Sequence, residues 1–250
     1  MSGHSKWANI KYRKSAQDAK RGKEFQKYIK AVMVASKEGG PDPAMNNRLK
    51  SAVERARAAN VPIDTIEKAI KKGAGDLEGL SYEEITYEGY GAGGVAILVD
   101  VLTDNKNRTA SEMRFLFSRA GGSLGEVGCV AWIFQRTGVI RISGKDLDEE
   151  QLLAVCLEAG ADDLEDNDEG YSVHCEPANM TKVRDALEEA GYVIEGSEID
   201  NLPKNTVPIQ GKEEAEKLLR FLETLEDHDD VQNVYANFDI PDEIMEEIAG

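Results

Sequence analysis

From Phe25 onward, apolar residues recur at Phe25, Tyr28, Ile29, Val32 and Ala35, the spacing that sets one stripe of a helix against a core. Lys23, Lys27, Lys30 and Lys37 fall off that stripe, and Gly39-Gly40 marks its end. The segment "PDP" reopens the chain, with Asp42 predicted as the N-cap and Pro43 at the first helical position. A second helix then runs through Leu49, Val53 and Ala56 and carries Arg48, Arg55 and Arg57 outward. Pro62 opens a third, which turns Ile63, Ile66 and Ile70 inward and stops at Gly73. Residues from about 20 to 75 therefore read as a small helical bundle with a basic exterior. The first 20 residues are less periodic: Trp7, Ile10 and Tyr12 interrupt a basic stretch, as in an arm ordered on the bundle or only on nucleic acid.

Beyond a glycine-rich joint the period changes from helical to alternating. "EEITYEGYG" and "GGVAILVDVLT" predict two strands around a tight turn, and "NRTASEMRFLFSRAGG" a helix with Met113, Leu116, Phe117 and Ala120 on one face. Strands follow at 131–135 and 138–143, then a helix over 148–158, a hairpin at 163–166 and 171–175, a helix over 179–190 and a strand over 192–198. From 138 to 200 that order is βαββαβ, the ferredoxin-like arrangement. A strand at 206–209, the helix "KEEAEKLLRFLETLE" and the strand "VQNVYANFD" remain to complete the sheet begun at 82. The expected fold is thus multidomain α+β: a basic arm and bundle at 1–78, an α+β domain at 79–135 plus 204–240, a ferredoxin-like domain at 136–203 inserted in it, and a tail at 241–250.

Net charge sharpens this division. The 250-residue chain carries a formal −17. Residues 1–75 hold 17 Lys and Arg against 7 Asp and Glu, a net +10, and the remaining 13 and 40 give −27. A basic block attached to an acidic body is a statement about partners, because one surface attracts phosphate and the other repels it. The alternative is a set of solvated helix faces. The longest apolar run, Cys129 to Phe134, is far short of the roughly 18 residues of a membrane span, and the charged start has no apolar core of a signal peptide. A cytoplasmic location is expected. Cys129, Cys156 and Cys175 are scattered and odd in number, as suits reduced thiols.

Catalytic motifs are near misses. "GYGAGGVAILVD" is followed by a strand where a dinucleotide loop needs a helix, so its glycines read as a hairpin turn. "SGKD" has Val139 and Asp146 where a phosphate-binding loop needs Gly and Ser or Thr. "EDNDEGYSVHCE" puts long Glu side chains at Glu165 and Glu169 in what would be a calcium loop, and its second half alternates like a strand. His4, His174 and His228 are far apart, and His174-Cys175 point to opposite faces of a strand. No catalytic residue, cofactor or metal is expected, although a metal-dependent nucleic-acid-processing enzyme is the competing class.

The segments "GHSKWANIKYRKSAQDAKRGKEF", "ARAANVPIDTIEKAIKKGAG", "YEGYGAGGVAILVDVLTDNKNRTASE", "GGSLGEVGCVAWIF", "LPKNTVPI" and "LEDHDDVQNVYANFD" resemble those of the YebC/PmpR family, related to mitochondrial translational activators of cytochrome c oxidase. The resemblance covers essentially the whole chain in order; Ala92 stands where that family often has Pro, and Cys129 where Ser is usual. It implies a three-domain, cytoplasmic, non-enzymatic protein, either a DNA-binding transcriptional regulator or a ribosome-associated factor acting on rRNA.

On that reading Lys6, Lys11, Arg13, Lys14, Lys20, Arg21 and Lys23 displace counterions from a phosphate backbone, and Trp7 or Tyr12 stacks on an unpaired base or anchors the arm. Arg48, Arg55, Arg57, Lys71 and Lys72 are further phosphate contacts. A basic protein is a second expected partner for the acidic domains, with Tyr87, Tyr90, Asp104, Asn105, Asn107 and Arg108 as its contacts; helix capping is the ordinary role for Asn105 or Asn107.

Overall fold

The computed structural model describes residues 18–75, 82–144, 147–167 and 170–249. Its first three helices are α1 (Asp18–Gly39), α2 (Asn47–Ala58) and α3 (Ile63–Ala74), which enclose a core of Val32, Leu49, Val53, Ala56, Val61 and Ile66. The helix-period stripe does what its spacing predicts, but the ends differ from the sequence reading.

Asn46, not Asp42, caps α2: its Oδ1 accepts the Leu49 N–H at 3.0 Å, while its Nδ2 donates to the carbonyls of Ala35 and Gly40, both at 2.8 Å. One buried amide thereby closes α1 and opens α2, whereas Asp42 accepts the Ala44 N–H in the turn before it. Ile63 is 59% exposed, and the buried Val61 takes the inward place before α3. Gly73 does not stop α3. It lies within the helix, where a Cβ would stand 2.2 Å from the Met33 carbonyl oxygen, so glycine is what lets α3 approach α1.

The next unit is a sheet of β1 (Glu83–Tyr90), β2 (Ala96–Thr103), β3 (Ser123–Leu124) and β9 (Val231–Ala236), in the order β3-β1-β2-β9 and antiparallel throughout. Gly93 and Gly94 turn between β1 and β2 at φ 70° and 78°, conformations that favour glycine, as the hairpin reading of this glycine cluster expects. Ile97, Val99 and Val101 face α4 (Lys106–Arg119) and α7 (Lys212–Glu226), where Phe117 and Phe221 meet edge to face at 5.1 Å.

The last described helix, α8 (Asp242–Ala249), packs Met245 into this same core, with Ile244 and Ile248 beside it. The segment predicted at 206–209 does not join the sheet. It contributes β8 (Val207–Pro208), which pairs in parallel with β10 (Phe238–Asp239).

Between these parts run β4 (Phe134–Ser143), α5 (Glu149–Ala159), β5 (Asp163–Asn167), β6 (Gly170–Cys175), α6 (Met180–Glu189) and β7 (Ile194–Pro203). The strands assemble in the order β7-β4-β6-β5 over a core of Ile140, Leu152, Val173, Val183 and Leu187. The two strands expected at 131–135 and 138–143 are one, because Ala131–Ile133 form a 3-10 turn and β4 continues unbroken through Gly138.

Candidate nucleic-acid interface

Lys6, Trp7, Lys11, Tyr12, Arg13 and Lys14 lie outside the described residues. Lys20, Arg21 and Lys23 fall on the first turns of α1, with their side chains outside what is described. Arg55 and Arg57 occupy the last turn of α2, and Lys71 and Lys72 the last turn of α3. All four are exposed and form no ion pair with other described residues. Cations in a last turn complement the negative end of the helix dipole.

Other basic residues are committed within the protein. Arg48, a predicted phosphate contact, pairs its guanidinium with Glu38 at the end of α1 and Glu84 on β1. Lys27 donates to the Glu226 carbonyl at the end of α7. Lys30 reaches Asp230 at 2.8 Å, and its ammonium lies 5.1 Å from the centre of the Tyr82 ring.

Asp230 is the centre of the joint between bundle and body. It is 94% removed from solvent on the side chain, yet accepts from Lys30 at 2.8 Å, Arg108 at 2.5 Å and Thr109 at 2.8 Å. Burial pushes its carboxyl up, but the hydrogen bonds from Lys30, Arg108 and Thr109 prevail and hold it well below the usual carboxylate range. Glu112, His228 and Asp230 bring ligand-type atoms within 4.8 Å of one another. Here an ammonium and a guanidinium stand against Asp230, and His228 Nδ1 accepts the Asp230 N–H at 3.1 Å while Nε2 faces Glu112 at 3.0 Å. This is a built polar joint, and nothing in the sequence spacing announces it.

Most of the candidate partner contacts also make contacts within the protein. Asn105 caps α4 by accepting the Arg108 N–H at 3.1 Å. Asp104 pairs with Arg108 at 3.3 Å. Tyr90 donates to the Cys129 carbonyl at 3.1 Å, and Tyr87 packs its ring against the main core. Asn107 is exposed, its backbone carbonyl accepting from Ser111 at 2.9 Å.

Sequence reasoning also missed Glu88. Burial pushes this carboxylate up, but N–H groups of Gly128, Val130 and Ala131 donate to it at 2.7, 2.8 and 2.8 Å and carry it below the ordinary value. It thereby fixes the turn that presents Trp132, 63% exposed.

A basic helical bundle latched to an acidic α+β body defines the class of protein. Two family models match the chain: the TACO1/YebC protein N-terminal domain over residues 5–76, and the TACO1/YebC second and third domain over residues 82–238. The chain belongs to the TACO1/YebC family.

A "probable transcriptional regulatory protein" of Dictyoglomus turgidum is 55% identical over 250 residues, all of both chains. Relatives carrying that description in Geobacter sulfurreducens and Thermotoga maritima are 55% and 54% identical, over 99% of this chain and 100% and 98% of theirs. The crystal structure of a conserved hypothetical protein from Aquifex aeolicus is similar at a TM-score of 0.81 and 47% identity, covering 91% of this chain and 94% of that one. Among the described residues, no helix is long and apolar enough to cross a membrane.

Proposed function

We propose that this chain is a non-enzymatic regulator of gene expression that grips nucleic acid through its N-terminal arm and bundle, with duplex DNA as the first target. The observation that carries the reading is the segregation of charge, a net +10 over residues 1–75 against −27 over the rest. Among the described residues, Arg55, Arg57, Lys71 and Lys72 stay unpaired on the bundle, while Lys30 and Arg108 are committed to the joint. The names of the relatives support the regulatory role. The unit from β4 to β7, read as a ferredoxin-like insertion in the central domain, belongs to the acidic body whose repulsion of phosphate keeps nucleic acid on the bundle side.

Replacing Arg55, Arg57, Lys71 and Lys72 together by Gln tests the reading. Affinity for duplex DNA should fall for every sequence, and the slope of log K against log salt should flatten by roughly 0.9 for each phosphate no longer neutralised. An unchanged slope refutes the assignment. Competition between duplex DNA and ribosomes at one salt concentration identifies the physiological polyanion, and preference for ribosomes overturns the DNA assignment while leaving the basic surface in place.

A further inference from the structure

The bundle meets the body through charge. Lys27 and Lys30 lie three positions apart on α1 and so share one face of that helix. Lys27 donates to the carbonyl of Glu226, the last residue of α7, where the helix dipole is negative. Lys30 pairs with Asp230 at 2.8 Å over the ring of Tyr82, and Arg48 of α2 pairs with Glu84 of β1. Among the described residues no apolar cluster spans the two parts. A cleft of about 230 Å3 remains between them, with Arg48 at its bundle side and Glu84 at its sheet side. The body thus sets a helix-end carbonyl and two carboxylates against a row of bundle cations, as a phosphate backbone would.

Opening this joint strands little on the body. On leaving Lys30, Asp230 keeps Arg108 at 2.5 Å and Thr109 at 2.8 Å, both from α4. Glu84 is already 61% exposed, and Arg48 keeps Glu38 of its own bundle. Letting water reach both partners of a pair costs far less than deleting one of them, because no charge stays buried alone. On the bundle, Lys27 and Lys30 each give up a contact with the body and gain a place for a phosphate oxygen. Lys30, 16% exposed while docked, is uncovered only in this way.

We propose that the docked arrangement is self-inhibited: the acidic body holds Lys27 and Lys30, and a phosphate backbone displaces it and takes both lysines as further contacts. The inference rests on the function proposed above and adds two residues to its nucleic-acid surface. Affinity is lowered by the fraction of molecules that are closed, so weakening a tie of the joint raises it. A joint that merely supported the bundle would give the opposite sign.

The test uses the full chain and a short duplex DNA of mixed sequence, with binding followed by fluorescence anisotropy at one low salt concentration. Asp230→Asn keeps the size of the side chain without its charge and should tighten binding about tenfold. Glu84→Gln, at an exposed position, should tighten it about twofold and serves where the first variant folds poorly. Glu83→Gln removes the same charge from the neighbouring exposed position of β1, which pairs with no bundle cation among the described residues, and should leave binding as in the parent. In the Asp230→Asn background, Lys30→Gln should weaken binding and flatten the slope of log K against log salt by roughly 0.9. In the parent the same change removes a tie and a contact together and should move affinity less.

Opening is read without nucleic acid, from the rate at which an amine-specific reagent acetylates Lys30, followed by mass spectrometry. Asp230→Asn should react faster than the parent, and raised salt should speed the parent. The proposal is overturned if the folded variants bind DNA no more tightly than the parent, or if Glu83→Gln tightens binding as much as Glu84→Gln. It is also overturned if Lys30→Gln acts equally in both backgrounds, or if acetylation of Lys30 is unchanged in Asp230→Asn. Failure of the phosphate surface is separate: it is read from the salt slope of the variant at Arg55, Arg57, Lys71 and Lys72, which leaves every residue of the joint in place.

Discussion

Replacing Asp230 by Ala strikes the joint that holds the bundle to the body. The change removes one acceptor and strands three donors: Lys30 at 2.8 Å, Arg108 at 2.5 Å and Thr109 at 2.8 Å. Losing one partner of a buried ion pair costs roughly 3–5 kcal/mol, because the remaining charge stays away from water. The two cations differ here. Lys30 is 16% exposed and has little water to fall back on, whereas Arg108 is 44% exposed and keeps Asp104 at 3.3 Å and Glu112 at 3.8 Å. The arginine's share is therefore discounted for solvent screening, and the expected cost is about 3 kcal/mol.

Because the chain has several cores and need not unfold in one step, amide hydrogen exchange is the right assay. Protection should fall along α1 near Lys30 and at Val231, while the core of Ile140 and Val173 stays protected. The pH dependence carries a sign. Asp230 is held below its unfolded value, so its contribution is complete above the ordinary aspartate range near pH 4 and is lost as pH falls below it. The variant should lack that acid-dependent component. Exchange along α1 that matches the parent's, at both neutral and acid pH, would refute the reasoning.

Glu88→Gln leaves one oxygen to accept where the carboxylate serves three N–H groups, so it should cost about 1–3 kcal/mol, and the amides of Gly128, Val130 and Ala131 should exchange faster than those of β1. Gly73→Ala should force α3 away from α1, since its Cβ would lie 2.2 Å from the Met33 oxygen, with a loss of roughly 1–3 kcal/mol. Thermal melting followed by circular dichroism reads this loss, and a melting curve that overlays the parent's would show that the helices do not need the close approach.

Periodicity and charge were enough to determine much of this protein. The stripe from Phe25 to Ala35 makes one face of α1 apolar wherever that helix packs, and the short apolar run in "GGVAILVDVLT", rich in Val and Ile, commits β2 to a sheet buried on both faces. The segregation of +10 from −27 follows from the chain alone. These are local properties, fixed by which residues are neighbours along a helix or strand.

Partners distant in sequence belong to the tertiary structure. Lys30 and Asp230 are 200 residues apart, and Arg48 meets Glu84 across the boundary between bundle and sheet, so no local pattern distinguishes these cations from Arg55 or Lys71. A lysine or arginine looks the same in the sequence whether it awaits a phosphate or has already been neutralised. Which of the two it is depends on what folding brings within about 3 Å, where charge, desolvation and hydrogen bonding are decided together.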